Sequence, residues 1–334
     1  MRLRRSDCSG KGITRRRAGK GFTYVDADGR RVTDEETIDR IKALAIPPAW
    51  KEVWICPAVN GHIQATGIDD AGRKQYRYHD FWNQRASARK FDEMIEFSRK
   101  LPALRKAVSN DLDTEEITKE SALACAVKLM DLGFFRIGSE QYAEANETYG
   151  VATILKSHVS LAGDDAVRFE YTAKGSIDRV QDVEDPEVRA ISEKLLRRRS
   201  GPDDFLAYKE GRRWVDVKSN DVNSYIQEHT DDRFSAKDFR TWNGTVLAAV
   251  ELGATDIPDS KRGRERKIKE AVESVSELLG NTPTVARNSY IDPRVLDRFR
   301  NGHQIKVPEN WEVGSSPRQR TQIEKRVRDL IQNK

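Results

Sequence analysis

The chain has 334 residues, enough for two domains that each bury a substantial core. Charged residues make up 34% and apolar residues 37%, and no run approaches the roughly 18 consecutive apolar residues of a spanning helix, so no such helix is expected. The net charge of +5 is unevenly held: Lys and Arg outnumber Asp and Glu 17 to 11 over residues 1–86 and trail them 42 to 43 over the rest, a layout that suits a phosphate backbone through counterion release.

Residues 1–20 are rich in Arg, Lys and Gly and nearly free of apolar side chains, which predicts a basic, mobile arm. The start is positively charged but has no apolar stretch behind it, so it does not read as a secretory signal. From Phe22 the pattern becomes strand-like. Phe22–Val25 precedes an Asp28-Gly29 turn, and Val53–Cys56 leads through Asn60-Gly61 into His62–Thr66. Such dipeptides favour tight hairpins because Gly and Asn tolerate positive φ. A short helix is predicted over Asp34–Leu44, ended by Pro47-Pro48. Residues 21–86 therefore read as a small β-rich domain.

Residues 87–334 read as a larger, mostly helical domain. A helix over 114–132 places Leu123, Val127, Met130 and Phe134 on one face, with an Asp113-to-Glu116 cap and a stop at Gly133. Between 158 and 182, Val167, Phe169 and Tyr171 alternate with Arg168 and Glu170, which predicts a small three-stranded sheet. Helices resume at about 186–199, 219–229, 236–252, 262–279 and 317–331. Cys8, Cys56 and Cys125 are odd in number and far apart, which argues against a disulfide framework or zinc cage and for a reducing compartment. The fold class is thus α+β in two domains.

Five residues stand where they can carry chemistry. Tyr290 falls in a junction: Gly280 ends one helix, Thr282-Pro283 starts a short one and Asp292-Pro293 starts another. Lys174 sits at a hairpin tip between Ala173 and Gly175, where its ammonium can donate a proton to a departing oxygen. Arg136 follows a buried helix with aromatic packing beside it, which can hold a guanidinium fork against phosphate oxygens. Arg240 opens an otherwise apolar helix. Asn281 follows Gly280 as a helix-end residue whose amide can donate to an oxyanion. Taken singly, each also suits a plain structural role.

In combination and order, Arg136, Lys174, Arg240, Asn281 and Tyr290 resemble the active site of type IB DNA topoisomerases, the small poxvirus-like branch found in bacteria. The segments Arg136-Ile137-Gly138 to Gly150, Phe169 to Gly175, Lys237-Asp238-Phe239-Arg240-Thr241 and Gly280 through Tyr290 are each similar to a motif of that family. So are Ile46-Pro47-Pro48-Ala49-Trp50 and Gly72 to His79, in its small β domain. The resemblance covers nearly the whole chain from about residue 12. It departs at Asn281, where many members carry histidine; asparagine donates one neutral hydrogen bond but carries no charge and exchanges no proton.

The resemblance implies the tyrosine recombinase/topoisomerase IB catalytic fold and a C-shaped clamp on double-stranded DNA. It implies that Tyr290 attacks a phosphodiester to give a 3′-phosphotyrosyl bond, that Arg136, Arg240 and Asn281 hold the non-bridging oxygens, and that Lys174 protonates the leaving 5′-oxygen with Lys237 in support. Strand rotation and resealing would relax supercoils without ATP or a metal, and no cofactor is expected. Arg73, Gln75, Tyr76, Tyr78 and Tyr142 are the expected DNA contacts, with Arg15, Arg16 and Arg17 as non-specific phosphate contacts. A cytoplasmic, nucleoid-associated monomer is expected. A tyrosine recombinase shares the chemistry, but its second-arginine motif usually begins with histidine where Lys237 stands, and its N-terminal domain is usually helical. A non-catalytic DNA-binding protein of the same fold is the other alternative.

Overall fold

The computed structural model describes all residues except 134, 310, 312–315 and 334, and of residues 141 and 142 only the backbone. Phe134 and the Tyr142 side chain, both singled out above, lie outside the described residues. The chain divides into two compact units, Met1–Asp92 and Glu93–Lys334. No described helix is long and apolar enough to cross a membrane.

The first unit is a five-stranded antiparallel sheet. It holds β1 (Ile13–Ala18), β2 (Gly21–Val25), β3 (Lys51–Ile55), β4 (Ile63–Ile68) and β5 (Lys74–Tyr78) in the order β2-β1-β3-β4-β5, with α1 (Glu35–Ala43) between β2 and β3. The Asp34 carboxylate caps α1 by accepting from the Thr37 N–H at 2.8 Å. Ile13, Ile41, Val53, Ile55 and Ala65 form its small core.

The arm predicted over residues 1–20 is therefore partly built into the sheet, since β1 pairs with β2 along its length and with β3 at Ile13 and Thr14. Arg15 is drawn in as well. Its guanidinium donates to the carbonyls of Ile46, Pro47 and Trp50 and lies 4.2 Å from the Phe22 ring centroid, so it serves this unit's own packing.

The long helix α2 (Asp80–Leu112) carries the chain across the division between Asp92 and Glu93, and the boundary expected at residue 86 also falls inside it. Next come α3 (Lys119–Gly133) and α4 (Glu140–Asn146). The start of α3 is later than the sequence pattern predicts, because Thr118 and Ser121 exchange side-chain and backbone hydrogen bonds at 3.0 and 3.1 Å. That reciprocal cap satisfies amides at the helix start, and it displaces the Asp113–Glu116 alternative.

A short 3-10 turn leads into β6 (Val159–Ala162), β7 (Ala166–Ala173) and β8 (Ile177–Glu184), an antiparallel three-stranded sheet. Val167, Phe169 and Tyr171 are buried on one face of β7, as their alternation predicts. The helix α5 (Pro186–Leu196) is followed by a two-stranded hairpin, β9 (Ala207–Glu210) with β10 (Arg213–Asp216), that the sequence pattern did not reveal. The rest is helical: α6 (Ser219–His229), α7 (Ala236–Gly253), α8 (Lys261–Leu279), α9 (Pro283–Ser289), α10 (Pro293–Arg300) and α11 (Pro317–Gln332).

One continuous apolar core joins these elements, with Phe97, Leu101, Phe169, Phe239, Trp242, Val275 and Phe299 among its buried members. Each such side chain contributes about 1.5–3 kcal/mol by leaving water. Ile268, Val272, Val275 and Leu279 are all buried along α8, so that helix delivers its C-terminal end rigidly to the region described next.

Candidate active site

Four separate stretches of the second unit converge on one open pocket of about 270 Å³. They are the segment before α4, the turn between β7 and β8, the first turns of α7, and the junction between α9 and α10. Arg136, Lys174, Lys237, Arg240 and Tyr290 all line it.

Arg136 is held from both sides. Its carbonyl and that of Ile137 accept from the Val151 and Ala152 N–H groups at 2.8 Å each. The preceding Phe135 is buried against Phe169, with ring centroids 5.0 Å apart. The Arg136 guanidinium donates through Nη2 to the Gly280 carbonyl at 3.1 Å and to Asn281 Oδ1 at 2.6 Å. Lys174 stands exposed in the turn closed by the Ala173–Ile177 pair.

Helix α7 opens with a capping box between Ser235 and Asp238. From there Lys237, Arg240 and Gly244 follow at spacings of three and four, on one helix face. Arg240 is only 4% exposed. Its Nη2 donates to the Leu279 carbonyl at 2.6 Å, and its guanidinium carbon lies 5.2 Å from the centroid of the Tyr290 ring. Burial first, then the neighbouring Arg136, push Arg240 down to about 10, while Tyr290 pulls it back up. It is still cationic at neutral pH.

Tyr290 ends α9, and its backbone is fixed against α7. The Thr245 hydroxyl accepts from the Asp292 N–H at 3.0 Å and shares its proton between the Thr241 carbonyl at 2.9 Å and the Tyr290 carbonyl at 3.2 Å. Burial alone raises the Tyr290 phenol. Arg240, Arg136 and Lys237 together outweigh that, so the phenol sits below the ordinary tyrosine value. A tyrosine with stabilised phenolate beside several cations is equipped to attack an electrophilic phosphorus.

Asn281 reaches the same place through the end of α8. Gly280 closes the helix in the left-handed region, with φ 57°, and Gly280 and Asn281 donate their N–H groups to the Glu277 and Ser276 carbonyls. Because Oδ1 accepts from Arg136, the amide orientation is set. Its Nδ2 is buried and finds no partner among the described residues, and Asn281 stands behind Arg136 instead of among the residues that line the pocket.

The sequence motifs missed three contributors. Gly244 and Thr245 seat the tyrosine backbone, and Arg179 on β8 lies behind the pocket with Arg136, Lys174 and Arg240. No local pattern marks any of them.

Tyr76 and Tyr78 share one face of β5, Gln75 lies on the other, and Arg73 stands just before the strand. Arg73 and Gln75 are both held by the Asp69 carboxylate, at 3.0 and 2.8 Å. Tyr76 and Tyr78 are 44% and 36% exposed and stack with centroids 6.1 Å apart. They are surface rings, and Trp82 extends the stack from Tyr78 at 6.5 Å.

Residues 80–310 match the sequence profile of the eukaryotic DNA topoisomerase I catalytic core, and residues 21–69 match that of the bacterial DNA topoisomerase IB N-terminal domain. The chain is 29% identical over 309 residues to DNA topoisomerase 1B of Acanthamoeba polyphaga mimivirus, covering 88% of this chain and 89% of that protein. It is 23% identical to DNA topoisomerase 1 of rabbit fibroma virus (86% and 91% covered) and 21% identical to DNA topoisomerase 1B of vaccinia virus strain Copenhagen (72% and 74%).

Proposed function

This chain belongs to the type IB DNA topoisomerase family, and on that premise we propose that it relaxes supercoiled double-stranded DNA with Tyr290 as its nucleophile. The observation that carries the assignment is the Arg240 guanidinium 5.2 Å from the Tyr290 ring in a pocket also lined by Arg136, Lys174 and Lys237. The match of residues 21–69 to a bacterial topoisomerase IB domain favours this activity over a recombinase.

In this reading Tyr290, having lost its proton to solvent, attacks the scissile phosphorus as the phenolate that Arg240, Arg136 and Lys237 stabilise. A bond from phosphorus to the tyrosine oxygen forms and the bond to the 5′-oxygen breaks, leaving a 3′-phosphotyrosyl linkage and a 5′-hydroxyl. Lys174 gives the leaving oxygen its proton, supported by Lys237. Arg136, Arg240 and Asn281 Nδ2 bind the non-bridging oxygens as charge builds on them; the two charged donors are each worth about 10²–10³ in rate, the neutral amide less. The duplex then rotates about the intact strand, and the 5′-hydroxyl attacks the phosphotyrosine to reseal the nick. Bond energy is conserved through the ester exchange, so supercoil strain alone drives relaxation.

The exposed Tyr76–Tyr78 stack supports a DNA-facing role for the first unit. By family resemblance alone we propose a monomer acting in the cytoplasm at the nucleoid.

The test is relaxation of supercoiled plasmid in EDTA without ATP, beside a Tyr290→Phe variant. The expected result is relaxation by the parent and none by the variant, with trapped DNA attached through its 3′ end. Equal relaxation by both proteins, or a 5′ linkage, overturns the assignment.

A further inference from the structure

The carboxyl end of α8 has an unusual set of partners. A helix leaves its last carbonyls without intrahelical donors. Here the Ser276 and Glu277 carbonyls accept from the Asn281 and Gly280 N–H groups. The next three carbonyls each take an arginine: Leu278 from Arg179 at 2.9 Å, Leu279 from Arg240 at 2.6 Å, and Gly280 from Arg136 at 3.1 Å. The negative end of a helix dipole favours cations at this place. Two of these arginines line the open pocket; Arg179 lies behind it.

Arg179 comes from a different element than its partner carbonyl, 99 residues away. It sits on β8 opposite Tyr171, in the hairpin whose tip carries Lys174, with the Thr172–Asp178 and Ala173–Ile177 pairs between. Its Nη1 stands 2.5 Å from where a Cβ on Gly280 would lie, so the guanidinium fills the place of a side chain there. The Lys174 hairpin and the end of α8 thus meet through this guanidinium.

We infer that Arg179 is a positioning residue that ties the hairpin bearing Lys174 to the end of α8, and so sets the proton donor against the groups that hold the phosphate. The inference rests on the reading of Lys174 as general acid. Arg179 touches no reacting atom. It acts chiefly by placing Lys174, so most of its effect is felt when the leaving group needs a proton.

The test is single-turnover cleavage of two otherwise identical duplexes, one with the natural 5′-oxygen and one with a bridging 5′-sulfur at the scissile phosphate. The thiolate leaves without a proton. Arg179→Ala is expected to slow cleavage of the oxygen substrate by about 10- to 100-fold, the scale of a misplaced catalytic group. On the sulfur substrate most of that loss should be restored, with DNA affinity and melting temperature near the parent's.

Equal slowing on both substrates, or no slowing on the oxygen substrate, overturns the inference. If Arg179→Ala does not fold, the same pair of substrates is run with Arg179→Lys, which keeps the cation but not the planar fork; a smaller loss with the same preference for sulfur is expected, and a loss equal on both substrates overturns the tie. Failure of the parent to cleave either duplex, or full cleavage by Tyr290→Phe, is the distinct result that overturns the functional reading itself.

Discussion

A Cβ placed on Gly244 would lie 2.8 Å from the carbonyl oxygen of Tyr290 and 3.2 Å from its Cβ. Gly244 is one turn beyond Arg240 on α7, so the same helix face that sets the guanidinium over the ring also seats the tyrosine backbone.

The sign of a Gly244→Ala substitution is informative for that reason. In an unobstructed helix interior the change is stabilising by about 1 kcal/mol. Here the added methyl meets backbone, which cannot swing aside as a side-chain tip can. A lower melting temperature and at least about tenfold slower single-turnover cleavage are expected, the latter because small displacements of a nucleophile are costly. A variant that is more stable and cleaves at the parental rate would show that the α9–α10 junction moves freely.

The pH dependence of cleavage should report the cations around Tyr290. The phenolate is the charged form, and Arg240, Arg136 and Lys237 stabilise it past the opposing effect of burial. Cleavage should therefore rise with pH through a midpoint below about 10, the ordinary tyrosine value. Removing one cation makes the phenolate less favourable, so Arg136→Ala should move the rising limb to higher pH as well as lower the maximum. Single-turnover rates between neutral and strongly alkaline pH check both statements. An unmoved limb in Arg136→Ala means that Arg136 does not sense the nucleophile.

Stability in acid depends on a different cluster. Asp131, buried at the end of α3, accepts from Arg105 at 2.8 and 3.0 Å and from Arg320 at 2.8 and 3.1 Å, while Arg105 also pairs with Glu324. Burial by itself raises the Asp131 carboxyl, and the two arginines outweigh it and hold it below the usual carboxylate range. Because the folded value is depressed, the stabilisation is fully present above the unfolded value of about 3.9 and is lost as pH falls through the folded one. Asp131→Asn leaves two arginines short of their partner, a change that costs about 3–5 kcal/mol for a buried pair. Urea unfolding of parent and variant should show that gap at pH 7 and a narrower one near pH 3. A constant gap across that range would remove the electrostatic explanation.

How far the sequence carried can be judged from particular residues. Helix α8 was legible because Ile268, Val272, Val275 and Leu279 repeat at helical spacing and all are buried. The turn carrying Lys174 was legible because β7 alternates cleanly up to Ala173 and Gly175 follows. Strand β1 was not, since only Ile13 is buried among its six residues and its arginines read as a solvated arm. Arg179 and Gly244 were invisible for another reason: their importance lies in contacts with Leu278, Gly280 and Tyr290, made across long stretches of chain. Local patterns report which face of an element is apolar; they do not report which two elements meet.

Asn281 gives the last expectation. Its Oδ1 is engaged with Arg136 at 2.6 Å, and its buried Nδ2 has no partner among the described residues. One neutral hydrogen bond contributes about 1 kcal/mol, roughly a fivefold change in rate. Asn281→Ala should therefore slow cleavage modestly, whereas Arg136→Ala and Arg240→Ala, which remove charged donors, should each cost about 10²–10³. Asn281→Asp separates this account from simple loss of packing. The carboxylate keeps the size of the side chain and strengthens the bond to Arg136, but it replaces the free donor with a negative charge facing the phosphate. It should be slower than Asn281→Ala, although it is the smaller change in shape. The order of single-turnover rates, parent above alanine above aspartate, is the measurement; aspartate at or above alanine would mean that Nδ2 does not face the substrate.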